Sequence, residues 1–189
     1  EGTRLREDQA MQPGTHLGAS KSCASVLLQT YARLHGTQCV ELRLFTPYGP
    51  WEHPRRFVPH VILSALTNQQ VRMSQGVQQR DFVYVDDVVD ALMIATDSSI
   101  PTGSVFNIGS GTGTPVAEAA RTILRLMGDS VSLCLGAIPT RPDEIMEMSA
   151  DITLAREQLG WQPRTSLEDG LSKTVTWFEE NQEVVKQYL

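Results

Sequence analysis

The stretch Arg80-Asp81-Phe82-Val83-Tyr84-Val85-Asp86-Asp87-Val88-Val89-Asp90-Ala91 decides the fold. The aromatic and β-branched residues at its start predict a short strand over 80–84. The apolar positions that follow recur at helical spacing and predict a helix over 85–95. Asp86 and Asp87 fall where carboxylates complement the positive end of a helix. A strand that runs straight into a helix is the repeating unit of an α/β protein.

Working outward, the same alternation continues in both directions. Upstream, residues 18–35 carry apolar positions on a broad helical face, and Gly36 supplies a C-terminal stop. Residues 39–45 read as a strand ended by the turn signals of Thr46-Pro47-Tyr48-Gly49-Pro50. A loop with Trp51 and Pro54-Arg55-Arg56 leads to a helix over 57–66, where Pro59 is tolerated in the first turn. A short strand at 71–73 and a turn at Gln75-Gly76 precede the opening stretch.

Downstream, a strand at 104–108 meets the glycine turn Gly109-Ser110-Gly111-Thr112-Gly113, and a helix over 115–127 follows with Thr114 as its expected cap. A strand at 131–135, a short helix capped by Asp151, a stop at Gly160 and a last helix from Ser166 complete the pattern. The first sixteen residues are polar, contain Pro13-Gly14 and read as a surface loop, so a missing beginning is expected. The fold class is therefore α/β, without internal repeats or low-complexity tracts.

Composition narrows the function. Of 189 residues, 41% are hydrophobic and 20% charged, as in soluble globular proteins. The net charge of -6 offers no general attraction to nucleic acid or to an anionic membrane, so a bound anion must meet a local arginine cluster. Cys23, Cys39 and Cys134 are odd in number and lack Cys-x-x-Cys spacing, which favours buried reduced thiols over a disulfide framework or a zinc site. No apolar run reaches the length of a membrane span, and the start is too polar for a signal peptide, so the cytoplasm is the expected compartment.

Several features carry plain structural readings. The spacing Gly109-x-Gly111-x-Gly113 puts the third glycine one position early for a dinucleotide fingerprint, and it reads as a structural turn. His16, His35, His53 and His60 show no metal spacing. Trp177 and Phe178 read as packing residues.

Six segments in order resemble the extended short-chain dehydrogenase/reductase family, the NAD-dependent nucleotide-sugar epimerases and dehydratases. Arg80-Asp81-Phe82 with Val85 and Asp87 is similar to its Arg-Asp-Phe/Tyr-x-x-Val-x-Asp segment. The others are Leu42-Arg43-Leu44-Phe45-Thr46-Pro47-Tyr48-Gly49-Pro50, Arg55-Arg56-Phe57-Val58-Pro59, Phe106-Asn107-Ile108-Gly109-Ser110-Gly111, and Arg141-Pro142-Asp143-Glu144 followed by Leu159-Gly160-Trp161-Gln162-Pro163. The sixth is the helix that the family opens with Tyr-x-x-x-Lys. Here Lys21 is present, and Leu17 occupies the tyrosine position.

The resemblance implies part of a Rossmann-like doubly wound sheet plus a smaller C-terminal substrate-binding α/β domain. Residues 1–50 correspond to a remnant of the dinucleotide-binding domain, and 51–189 mainly to the substrate domain, with about 82–110 returning to the sheet. The first βαβαβ half has no counterpart. The implied cofactor is NAD or NADP, with Lys21 on the nicotinamide ribose and Leu44, Phe45 and Pro47 passing beneath the ring. The implied substrate is a nucleotide-diphosphate sugar, contacted by Thr46, by the backbone N–H of Phe57, and by Arg80 and Arg141 at the diphosphate.

In that chemistry the sugar is oxidised to a keto intermediate, then re-reduced (an isomerase) or dehydrated (a lyase). The family Lys lowers the pKa of the Tyr so that it can act as general base. Leu17 cannot, which leaves a second reading: an inactive or truncated relative that serves as a nucleotide-sugar binding or dimerisation module. Two departures touch the substrate site. Thr46 replaces an Asn of some sugar epimerases, though uronate epimerases look alike at Thr46-Pro47-Tyr48-Gly49-Pro50-Trp51, and Glu144 adds a carboxylate near Arg141. The resemblance also implies a homodimer through the helix after Lys21, with no nucleic acid and no membrane as partners.

Overall fold

The computed structural model describes residues 4–97 and 99–183. Residues 80–84 do not form one strand. The chain changes partner at Asp81: β4 (Gln79–Arg80) runs antiparallel to β7 (Thr114–Pro115), whereas β5 (Phe82–Tyr84) runs parallel to β2 (Thr46–Tyr48). The reason is the Asp81 carboxylate, which is fully buried. It accepts from the backbone N–H groups of Ser110, Gly111 (3.0 Å) and Ala150 (2.8 Å) and from the Ser110 hydroxyl (2.7 Å). A desolvated carboxylate needs such donors, and it fixes the backbone that supplies them.

The glycine turn is built around the same group. A Cβ on Gly109 would lie 2.8 Å from Asp81 Oδ2 and 2.9 Å from the Ala150 Cβ, so only glycine fits. The turn is structural, as its spacing indicates.

From β5 the chain enters α3 (Val85–Ile94), with Val88 and Ala91 turned inward. Asp86 stays exposed at the helix start, but Asp87 does not remain there as a solvent-facing charge. It is buried and accepts from the N–H groups of Arg164 and Thr165 at 3.1 Å each, while its carbonyl takes the Trp161 indole N–H at 2.8 Å.

Two apolar clusters result. β1 (Val40–Leu44) pairs in parallel with β6 (Ser104–Ile108). On one face Val40, Leu42, Phe106 and Ile108 pack with α3 and with α5 (Thr153–Glu157) around Trp161. Strand alternation sends Glu41 and Arg43 to the other face. There α1 (His16–His35) attaches through Ser25 to Glu41 and through the Gln29 amide to the Gly103 carbonyl, 2.9 Å. Helices on both faces of a parallel pair are the doubly wound arrangement.

The second cluster joins α2 (Phe57–Leu66), α4 (Val116–Leu126) and α6 (Leu167–Glu180) over Tyr48, Phe82 and Tyr84. β3 (Val71–Arg72) and β8 (Leu133–Cys134) form a parallel pair at its rim.

Some local expectations change. Thr114 lies in β7 and does not cap α4. The first N–H groups of that helix are satisfied by the loop beneath it, Val116 to the Gln78 carbonyl (3.0 Å) and Ala117 to that of Gly76 (2.9 Å). Leu5 is bridged to Ala150 and exchanges backbone bonds with Ser149 and Asp151 at 2.8 Å each, so the polar N-terminal stretch is tied to the sheet edge. The three thiols are free, but Cys23 is exposed and Cys39 and Cys134 are half-buried, against the expectation of burial. Ser166 does cap α6, accepting from Asp169 N at 3.1 Å, whereas the cap position of α5 is Ile152, without a side-chain cap, and Asp151 one residue earlier accepts from Thr153 N at 2.9 Å.

Asp81→Ala leaves three backbone N–H groups orphaned and is expected to cost about 3–5 kcal/mol. Urea unfolding reads this directly, and a wild-type midpoint for the variant would overturn the role given to Asp81.

Candidate functional site

The end of β2, the start of α2, β4 and the 141–148 segment converge on a cleft of about 350 Å³. Four residues that the sequence nominated for substrate binding, Thr46, Phe57, Arg80 and Arg141, all line it. Two of them come from elements 60 or more positions apart in the chain, so the fold itself assembles the group. α2 presents its N-terminus here without a side-chain cap, and Pro59 lacks an N–H. The N–H groups of its first turn are available to an anion.

The charges are organised by one carboxylate. Arg80 donates from Nη1 to the carbonyls of Gln79 and Ile145, both at 2.7 Å, and from Nη2 to Glu144 Oε1. Arg141 donates from Nη2 and Nε to the other oxygen of Glu144 at 3.0 and 3.2 Å. Glu144, 8% exposed, therefore bridges both guanidinium groups. The sequence placed it beside Arg141; its grip on Arg80 comes from the fold. Arg55 and Arg56 complete the lining, with Glu52 as the second carboxylate. Four cations against two anions leave a local positive excess in a chain of net charge -6. Such an excess suits a doubly charged phosphate group.

Two further groups in this cleft were not singled out by sequence. Glu52 has a side chain only 16% exposed, and burial pushes its carboxyl up to about 7 despite Arg56 at 3.4 Å. Gln78 is 9% exposed. Both sit in polar loop sequence, where nothing in the pattern announces burial. Tyr48 also lines the cleft, with its hydroxyl on the Leu167 carbonyl at 3.3 Å. Burial drives its phenol above the ordinary range, so it remains protonated at neutral pH and does not replace the base absent at Leu17.

A second, more apolar cavity of about 740 Å³ adjoins the first, sharing Phe45 and Met148 with it. Leu44 and Phe45, nominated for the cofactor, line it together with Leu5, Met11, Arg43 and Asn107. Pro47 lines neither cavity and lies in β2 opposite Val83. Lys21 and Leu17 line neither as well. Both are exposed on α1, one helical turn apart, which puts them on the same face. Among the described residues no group of His, Cys, Asp or Glu is arranged to hold a metal ion, and no helix is long and apolar enough to cross a membrane.

The raised Glu52 carboxyl has a signed consequence. Its ordinary value is 4.5, so between pH 4.5 and about 7 the folded chain holds a proton that the unfolded chain releases. Stability from this group is thus complete below pH 4.5, falls through that window and stays low above 7. Glu52→Gln is expected to add up to about 3 kcal/mol at pH 8 and almost nothing at pH 4, by urea unfolding. An equal gain at both pH values would contradict the assignment.

With this geometry in view, residues 2–109, more than half of the chain, match the NAD dependent epimerase/dehydratase family. A dTDP-glucose 4,6-dehydratase of Streptomyces niveus is 30% identical over 176 residues, covering 93% of this chain and 52% of its own length. UDP-glucuronate 4-epimerase 4 of Arabidopsis thaliana is 30% identical over 188 residues, covering 91% of this chain and 43% of its own length. The solved structure of UDP-glucose 4-epimerase from Thermotoga maritima with UDP-glucose superposes with a TM-score of 0.90 at 31% identity, over 96% of this chain and 59% of that one. The chain spans about half the length of the curated relatives it matches. The match over residues 2–109, more than half of the chain, shows that the chain belongs to the NAD dependent epimerase/dehydratase family.

Proposed function

We propose that this chain forms the substrate-binding and Lys-helix part of an NAD-dependent epimerase or dehydratase that acts on a nucleotide-diphosphate sugar through a keto-sugar intermediate. The observation that carries this reading is the convergence of Thr46, Phe57, Arg80 and Arg141 on one positively charged cleft. The diphosphate takes the place of Glu144 between Arg80 and Arg141, or lies beside it, with the first turn of α2 as a further donor. Thr46 offers its hydroxyl to the sugar. Epimerisation would make the protein an isomerase and dehydration a lyase.

The residues fit the cofactor in part. The apolar cavity at Leu44 and Phe45 suits a nicotinamide ring, whereas the Gly109 turn is filled by Asp81 and offers no room for a pyrophosphate. Bound NAD supplies the oxidant for the sugar carbinol. Lys21, which lines neither cavity here, would hold the ribose, and Pro47, in β2 just after Phe45 and Thr46, would stiffen that strand. The proposed division, 1–50 with the sheet and 51–189 mainly with the substrate side, about 82–110 returning to the sheet, agrees in part with the two apolar clusters: the sheet cluster draws on Val83 to Ile108, but also on Ala155, Leu159 and Trp161, while Tyr48 packs in the other. Free thiols, one of them exposed, suit the cytoplasm.

Leu17 favours a second reading, a family member that binds the sugar nucleotide without redox turnover. Both readings require the cleft to bind the diphosphate. Calorimetry with UDP and dTDP is expected to give binding that Arg80→Ala weakens by at least tenfold, about 1.4 kcal/mol or more. Binding unaffected by that change would sink the placement of the diphosphate.

We also propose a homodimer through α1. The helix meets the rest of its own chain through Ser25, Gln29 and Ala32, while Val26, Leu27, Tyr31 and Leu34 are exposed. An apolar face of this kind is costly in water. Sedimentation at micromolar concentration should give a dimer that Leu27→Glu with Leu34→Glu converts to monomer. A wild-type chain already monomeric there would refute the proposal.

A further inference from the structure

Two residues that line the cleft each carry a buried oxygen with no hydrogen-bond partner among the described residues: Glu52 Oε2 and Gln78 Oε1. Each loses its hydration on folding and gains nothing in return, a cost that a native structure sustains when a ligand repays it. The nearest cation does little for Glu52, since Arg56 Nε approaches only the other oxygen, at 3.4 Å. Gln78 donates to Ser74 Oγ at 3.4 Å and leaves its buried acceptor oxygen unused.

With Glu52 ionised, as it is above about pH 7, both orphans are acceptors, so the group that satisfies them must bring donors. A diphosphate has none. A pyrimidine base has one ring N–H, whereas a pyranose carries several adjacent hydroxyls, each with a proton to give. A sugar carboxylate would instead set acceptor against acceptor and negative charge beside Glu52. Thr46-Pro47-Tyr48-Gly49-Pro50-Trp51 alone points toward uronates, but Glu52 follows it immediately and reverses the sign at that place.

We infer that Glu52 and Gln78 are specificity-determining residues that make the cleft take a neutral, hydroxyl-bearing glycosyl group and reject a uronate. The inference rests on the nucleotide-sugar reading given above. Glu52 acts by repulsion as well as attraction, which is how discrimination between near-isosteric ligands is achieved. The burial that raises its carboxyl to about 7 also sets the condition: rejection is strongest above that pH, where the group is ionised.

The test is calorimetry at pH 8 on the whole chain, first with UDP and dTDP, then with the glucosyl and glucuronosyl esters of whichever diphosphate binds. The glucosyl ester is expected to bind at least tenfold tighter than the glucuronosyl ester. Glu52→Gln should bring the two within about threefold, the gain falling on the glucuronosyl ester. Gln78→Leu should weaken the glucosyl ester severalfold and leave the bare diphosphate unchanged. Each result is a ratio on one preparation, so partial unfolding of a variant does not imitate it. Equal affinities in the wild-type chain, or a preference for the glucuronosyl ester, overturn the inference and leave the nucleotide-sugar reading standing. Binding of neither diphosphate overturns both.

Discussion

The arrangement depends on one buried carboxylate. Asp81 gathers N–H groups from Ser110, Gly111 and Ala150, and so ties two distant parts of the chain to the point where β4 gives way to β5. Without it the turn after β6 would have no reason to close against the 148–151 segment, which in turn holds Leu5 at the sheet edge. The residue before it, Arg80, is thereby aimed out of the core toward the cleft, while the residue after it, Phe82, is packed within. A single buried carboxylate thus fixes the change of strand partner and the direction of an arginine that lines the cleft.

The cleft shows how a chain of negative net charge can present a positively charged site. Glu144 holds two guanidinium groups near each other at little entropic cost to an arriving anion, because their rotamers are already restricted. The same carboxylate competes with that anion. In the proposed reading, affinity for a diphosphate is a difference between two sets of charge-assisted bonds rather than the sum of one. This is why an arginine count alone would overstate it.

Much of the fold was legible because its signals are local. The helix over residues 18–35, the strand before Thr46, the helix after Arg56 and the cap at Ser166 follow from apolar spacing and turn chemistry. The grouping of Thr46, Phe57, Arg80 and Arg141 was legible only through family resemblance, since no periodicity relates positions so far apart. What escaped was set by tertiary contact. Asp87 looks like a helix-start carboxylate but is drawn inward by the N–H groups of Arg164 and Thr165, 77 and 78 positions on. Thr114 looks like a cap but is displaced by the carbonyls of Gly76 and Gln78. Glu52 reads as an ordinary loop carboxylate, and its burial depends on how α2 meets the cleft.

The position of Lys21 follows from the same reasoning. It rides on α1, whose attachment to β1 and β6 is narrow: a Ser25 hydroxyl on Glu41, one amide bond from Gln29, and Ala32 as its one buried residue among those described. In the proposed dimer, a helix held this lightly would take its orientation from the partner covering its outer face as much as from its own core. Residues 17 and 21 share a face one turn apart, so the geometry for a tyrosine and lysine pair survives even though Leu17 removes the proton acceptor. Binding in the cleft draws on α2, β4 and the 141–148 segment and does not pass through α1. In the proposed reading, recognition and proton transfer are therefore separable in this architecture, and a chain can lose the second while every constraint on the first remains in place.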